Sequence, residues 1–292
     1  MKRLEIRHTT RYAFGAPVRI GPHTLFLRPR EGHDLRIVAS RLDICPTATV
    51  TWRRDFYDNV LGAATFGDEP ATELIIASDV EVELYELMPL DFIVEDHAVH
   101  FPFRYRQDEE TALSPFLVPL YADDPGLSQW LAPYRETSPG TETFGVLDTM
   151  NRRIAAEIGY ELRDEEGVLP PGETLRRGRG SCRDMATLLL EACRRLGIAA
   201  RFVSGYVHGP ATEGGGASSH AWIEVYLPGG GWKGFDPTNV AVVGPDHIPV
   251  AVHRHPEAIP PIAGSFVGPA GLAPILAVDV QISEAAHDAP TP

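Results

Sequence analysis

From Gly178 to Thr238 the chain reads GRGSCRDMATLLLEACRRLGIAARFVSGYVHGPATEGGGASSHAWIEVYLPGGGWKGFDPT. Three of its residues have the chemistry to act together: Cys182, His220 and Asp236. Cys182 stands where a glycine-rich turn enters a run with apolar residues at Met185, Leu188, Leu189, Ala192 and Leu196, which is helical spacing. Gly197 supplies a C-terminal stop. The spacing therefore predicts Cys182 at a helix N-terminus, where unpaired N–H groups and the helix dipole favour a thiolate. His220 opens an alternating run, His-Ala-Trp-Ile-Glu-Val-Tyr-Leu, and Asp236 closes the short run Trp232 to Asp236. A tight turn between the two runs predicts a hairpin that sets a base beside an orienting carboxylate.

These motifs, Gly-Ser-Cys-Arg-Asp, Ser-His-Ala-Trp and Phe-Asp-Pro-Thr-Asn, in the order cysteine helix, histidine strand, aspartate strand, resemble the transglutaminase-like superfamily of papain-like cysteine enzymes. The resemblance extends to the opening Ile-Arg-His-Thr-Thr-Arg-Tyr and points to the bacterial two-domain subgroup. It implies an α+β fold in which the nucleophile helix packs on an antiparallel sheet. It also implies acyl transfer through a thioester on Cys182, with His220 as base and later acid and Asp236 fixing its tautomer. Peptide or glutamine-type amides are the implied substrates. Hydrolysis is favoured over transamidation, because the bacterial members resembled are described mainly as protease-like. Where similar members often carry Gly-Val-Gln, this chain has Gly167-Val168-Leu169, so no glutamine side chain donates there.

Around the three residues, the Cys182 N–H is one expected oxyanion donor, and Tyr160 is a candidate for the second. Trp222 is either a cleft wall or core. Asp184, in the first helical turn, complements the dipole and orders the loop; Ser219, beside the histidine, is read as a supporting residue. Cys193 reads as core, and Cys45 as a structural strand-end thiol. Cys182, His208, His220 and Asp236 include zinc-ligand types, but no short-spaced ligand pair accompanies them, and no calcium loop is present. No cofactor and no metal are expected. A different class of reading, a non-catalytic or latent peptide-binding module, is disfavoured because all three reactive residues are present.

Along the rest of the chain, six short alternating stretches before residue 105 predict an all-β sandwich or barrel-like domain over 1–105. His8, His23 and His33 in it follow no ligand spacing. Five prolines punctuate a surface connector over 106–140, with a helical turn or two at Leu127 to Leu131. The catalytic core spans 141–292. An amphipathic helix opens it, the runs at His247 to Val252, Ser265 to Val267 and Ile275 to Ile282 complete its sheet, and a frayed tail starts at Ser283. The glycine-rich loop Gly209 to Ser218 forms a mobile rim beside His220.

At 292 residues, the chain has room for two domains. Its net charge of −14 argues against nucleic acid and anionic membrane as partners and leaves a protein or peptide substrate. Three scattered cysteines form no disulfide framework and suit a reducing compartment. No signal-peptide core or membrane-length apolar run is visible, so a cytoplasmic protein is expected. Oligomeric state leaves no trace in the sequence.

Overall fold

A computed structural model of the chain describes residues 1–138, 140–163, 165–209 and 219–285. Five strands open it: β1 (Lys2–Leu25), β2 (Leu35–Cys45), β3 (Ala48–Arg54), β4 (Val60–Phe66) and β5 (Ala71–Leu84). Their alternation is that of the sequence, but the first two stretches form a single strand. Gly15-Ala16-Pro17, residues of turn type, do not turn the chain back. β1 runs through it, and its pairing with β5 shifts register between Ala13 and Val18. One 24-residue strand therefore serves two sets of neighbours. Its first half lies between β5 and β16 (Ile275–Glu284), and its second half pairs with β4 and β15 (Ile262–Val267). Phe14, Val18, Ile20, Leu25, Leu74 and Ile76 fill the fold of this seven-stranded sheet.

The C-terminal strands correct the expected domain boundaries. β15 and β16 belong to the N-terminal sheet, not to the core sheet, and Ser283 and Glu284 are strand rather than frayed tail. The reason is edge pairing: Ile6 faces Val80 on one side and Ile282 on the other, so β1 is a central strand only when the C-terminus returns to it.

The segment between the two sheets is also more ordered than its prolines suggest. After β6 (His100–Phe101) come α1 (Gln107–Leu117) and α2 (Pro125–Arg135), then β7 (Thr141–Glu142), which pairs with β6. Asp124 caps α2, with Pro125 at the first helical position, where a missing N–H is harmless. Leu127, Trp130, Leu131 and Tyr134 recur at helical spacing and are buried, so α2 joins the core rather than lying on the surface. Leu120 N–H donates to the buried Glu191 carboxylate, tying the segment to the helix that begins at Cys182.

Next come α3 (Thr143–Glu157), β8 (Gly159–Tyr160), α4 (Pro171–Arg177), β9 (Arg179–Gly180) and α5 (Cys182–Arg195). The core sheet follows: β10 (Ala200–Val207), β11 (His220–Leu227), β12 (Gly231–Asp236), β13 (Ala241–Val242) and β14 (His247–His253), in the order β13-β12-β11-β10-β14. Ala221, Ile223 and Val225 of β11 share a core with Met185, Leu188, Leu189 and Ala192 of α5. The same core contains Leu4, Ile6, Val80, Val82 and Ile282, so the N-terminal sheet and the catalytic-type core are buried against each other. The fold is α+β, a β-rich N-terminal region followed by a helix-on-sheet core.

β14 is an edge strand, and the N-terminal region caps its open side. The buried Asn59 side chain imitates a neighbouring strand. Its Nδ2 donates to Val252 O at 2.8 Å, and its Oδ1 accepts from Val252 N–H at 2.8 Å. Arg30 N–H adds a bond to Pro249 O at 2.8 Å. Such pairing satisfies backbone groups that would otherwise be buried without partners. His8, buried in β1, bridges the same interface, with Nδ1 on Tyr206 Oη at 2.8 Å and Nε2 on Thr10 Oγ1 at 2.9 Å. Burial lowers its pKa from 6.5 to about 4, against a smaller opposing pull from Asp279.

Two outcomes are expected. Asn59→Leu leaves the Val252 amide and carbonyl unpaired and lowers stability in urea unfolding by roughly 2–4 kcal/mol; a change within experimental error would show that the cap is dispensable. Because the unfolded chain takes up a proton at His8 near pH 6.5 and the folded chain only near 4, stability falls as pH drops through that window. The His8 contribution is roughly 3 kcal/mol. Urea titrations from pH 7 to 4 on wild type and His8→Gln check it, the variant losing less.

Candidate active site

Cys182 is the first residue of α5, and the turn before it is built by one carboxylate. The wholly buried Asp184 accepts from Ser181 N–H at 2.8 Å, Ser181 Oγ at 2.9 Å and Leu169 N–H at 2.7 Å, and pairs with Arg163 Nη1 at 2.8 Å. Reaching back to the Ser181 N–H satisfies one orphan donor of the helix start. Burial alone would raise the Asp184 pKa, but the donors from Leu169, Arg163 and Ser181 together lower it. Gly180 makes the packing possible, since a Cβ there would lie 2.8 Å from Asp184 Cβ. At the position where a glutamine side chain was missing, Leu169 thus contributes its backbone N–H to Asp184.

β8 and β9 run parallel beside this turn, with Tyr160 opposite Gly180. That places Tyr160 next to the turn before Cys182, with the residue 57% exposed. Its phenol pKa is raised, chiefly by burial and in part by the charge of nearby Cys182.

His220 opens β11 and Asp236 ends β12. In the β11–β12 register Ile223 faces Phe235, so Asp236 lies level with Trp222 and within reach of His220 two residues away. His220 Nε2 donates to Asp236 Oδ2 at 2.8 Å. Cys182 lies close enough to bear on the charge of the ring. With Nε2 on the carboxylate, Nδ1 is the nitrogen left for the sulfur. Burial disfavours a charged His220, but the bond to Asp236 and the nearby Cys182 outweigh it and push its pKa up to about 10. Of the three residues predicted from sequence, His220 and Asp236 are bonded to each other, and Cys182 begins the helix beside them.

Asp236 is the most heavily bonded of the three. Its Oδ1 accepts from Thr238 N–H at 2.9 Å and Asn239 N–H at 3.3 Å, as aspartates do at the head of a turn. Its Oδ2 accepts from His220, from Asn239 Nδ2 at 2.7 Å and from His247 Nε2 at 3.0 Å. Asn239 Nδ2 and His220 Nε2 lie 3.3 Å apart because both converge on that oxygen. The bonds from His220 and His247 overcome the effect of burial and hold the Asp236 pKa well below the ordinary carboxylate range. The chain leaves this turn through Val240 at φ +54°, a left-handed conformation costly for a β-branched residue. The bend returns Ala241 to pair with Asp236.

Asn239 and His247 are site residues that the sequence reading did not single out. Asn239 lies within the quoted Phe-Asp-Pro-Thr-Asn motif, and its spacing from Asp236 is that of a turn closing on its own aspartate. His247 carried no such signal, because only the sheet order brings β14 to Asp236. Trp222 is fully buried among Val203 and Val252, so it backs the histidines from the core and presents no face to a cleft. Ser219 is the residue before β11 and half-buried. The rim expected at Gly209 to Ser218 lies, but for Gly209, outside the described residues. Cys193 is wholly buried, as expected, and burial pushes its thiol up to about 12. Cys45 ends β2 but is exposed rather than packed, because β2 is an edge strand. Among the described residues, no group of three or more His, Cys, Asp or Glu side chains is placed to hold a metal ion.

The sequence matches the bacterial transglutaminase-like N-terminal region over residues 4–83 and the transglutaminase-like superfamily over 135–237. An uncharacterized protein of Mycobacterium leprae is 29% identical over 92% of this chain and 94% of its own. An uncharacterized protein of Mycobacterium tuberculosis is 28% identical over 90% of this chain and 87% of its own. The crystal structure of a candidate cysteine protease from Cytophaga hutchinsonii superposes with a TM-score of 0.71, covering 98% of this chain and 92% of that one at 18% identity. That likeness is one of fold.

Asp184→Ala leaves the Arg163 guanidinium and two backbone N–H groups without their acceptor. Stability is expected to fall by roughly 3–5 kcal/mol. Urea unfolding checks this, and a loss under 1 kcal/mol would remove Asp184 from its role in holding the nucleophile turn.

Proposed function

The chain belongs to the transglutaminase-like superfamily, in the bacterial form that carries this N-terminal region, and from that premise we propose that it is a cysteine-dependent acyl-transfer enzyme acting on amide bonds of proteins or peptides. One observation carries the reading: a single buried imidazole, His220, is bonded to the Asp236 carboxylate and lies near enough to Cys182 for the two to influence each other's charge. In this reading the Cys182 sulfur attacks the amide carbonyl as a thiolate. The Cys182 N–H, one of the helix-start donors with no intrahelical partner, stabilises the oxyanion. His220, held as imidazolium by Asp236, delivers its proton to the leaving amine. The C–N bond breaks and a thioester remains on Cys182. Water, deprotonated by His220, then releases the acid. An amine in place of water gives transamidation.

Hydrolysis is the favoured outcome. Tyr160 and, two residues on, Leu162 are 57% and 67% exposed beside the nucleophile turn, which leaves that side open to water. Three free cysteines suit a reducing compartment, and the proposal places the enzyme in the cytoplasm. A latent or purely binding site is the second reading, favoured by the near-burial of both Cys182 and His220, each 8% exposed.

Alkylation by iodoacetamide, mapped by mass spectrometry, separates the two. At pH 6–7 Cys182 is expected to react about tenfold faster than the exposed Cys45, and Cys193 hardly at all. His220→Ala removes that advantage. In wild type the advantage holds through neutral pH and fades as pH rises toward about 10, where His220 gives up its proton. A Cys182 no faster than Cys45 favours the latent or binding site instead.

A further inference from the structure

Two histidines, not one, donate to Asp236. His247 heads β14, two strands from the strand of His220, and reaches Asp236 because of a glycine between them. Gly205 of β10 is the register partner of both His220 and Pro249. A Cβ at Gly205 would stand 2.3 Å from Ile248 O and 2.6 Å from Trp222 Cη2. Its absence lets β14 and Trp222 close over β10. Trp222 then meets the His247 ring edge-on at 5.2 Å between centroids, and His220 and His247 lie 6.4 Å apart.

The protonation state of His247 follows from its surroundings. Nε2 faces the Asp236 carboxylate, so it carries the proton. Nδ1 is buried and has no hydrogen-bond partner. An imidazolium would bury an unpaired N–H there, beside a second positive ring on β11, whereas the neutral ring leaves only a lone pair unmatched. The preceding residue, Asp246, is turned to Lys2 and His208, and β10 offers only Gly205 and Val207 at this position. The charges facing His247 are therefore Asp236 on β12 and His220 on β11.

We propose that His247 is a positioning residue: a neutral imidazole whose Nε2–H fixes the Asp236 carboxylate and shares its lone-pair density with His220. The inference rests on the acyl-transfer reading. Each donor on a carboxylate oxygen reduces the pull that oxygen exerts on the others. An Asp236 without the His247 donor would grip the imidazolium proton harder and release it to a leaving amine more slowly. His247 moderates that grip while keeping Asp236 ionised in a fully buried position.

Protein labelled with 15N-histidine reports both halves of the argument in long-range proton–nitrogen spectra between pH 5 and about 12. In wild type, His247 is expected as the neutral Nε2–H tautomer across neutral pH. His247→Leu removes the donor without admitting water, and the His220 midpoint is expected to move up by about 0.5–1 pH unit. His247→Gln retains an N–H donor and is expected to restore the wild-type midpoint. The iodoacetamide profile of Cys182 should follow the same order. An imidazolium or Nδ1–H tautomer at His247 in wild type overturns the inference whether or not the leucine variant folds. So does a His220 midpoint that is the same in the leucine variant as in wild type. Indifference of Cys182 alkylation to His220→Ala would instead reject the acyl-transfer reading, a result distinguishable from either of these.

Discussion

A buried carboxylate with five donors on two oxygens sets the geometry of this molecule's reactive end. Asp236 is wholly inaccessible, and an ionised group in that position persists only when its lone pairs are taken. The donors come from three places: the turn that follows it, the neighbouring strand β11, and the edge strand β14. Together these donors keep Asp236 ionised, and the ionised carboxylate favours a protonated His220. The strain at Val240 and the missing side chain at Gly205 are local concessions to that convergence.

The nucleophile turn repeats the principle with a second carboxylate. Asp184 gathers the Ser181 amide and hydroxyl, the Leu169 amide and the Arg163 guanidinium, and so fixes the glycine-rich approach to Cys182. Two buried aspartates thus hold the two halves of the site, one at the helix start and one at the sheet end. Neither is neutralised by burial, because each has enough donors to offset its desolvation.

The N-terminal region is structurally inseparable from this arrangement. Asn59 and Arg30 satisfy the outer side of β14, and β14 carries His247. The C-terminal strands β15 and β16 then return to β1, so the chain closes on its own beginning. A boundary placed at one point along the sequence misses this, because antiparallel strands can be recruited from any distance once an edge is left open. The prolines of the 106–140 segment misled in the same way. Pro125 at a helix start is compatible with helix, and the burial of Trp130 and Leu131 outweighed the propensities that prolines signal.

What the sequence determined by itself was local. Helical spacing after Cys182, alternation after His220 and the Asp-Pro-Thr-Asn turn are patterns written into neighbouring side chains, and they singled out Cys182, His220 and Asp236 before any coordinates. Only the tertiary structure decided what converges on them. Asn239 folds back within its own turn, while His247 is delivered by the order of strands in the sheet and Asn59 by the packing of a separate sheet. Partners of that kind are chosen by which edges and buried lone pairs remain unsatisfied after the chain has collapsed. No pattern of nearby residues records that choice.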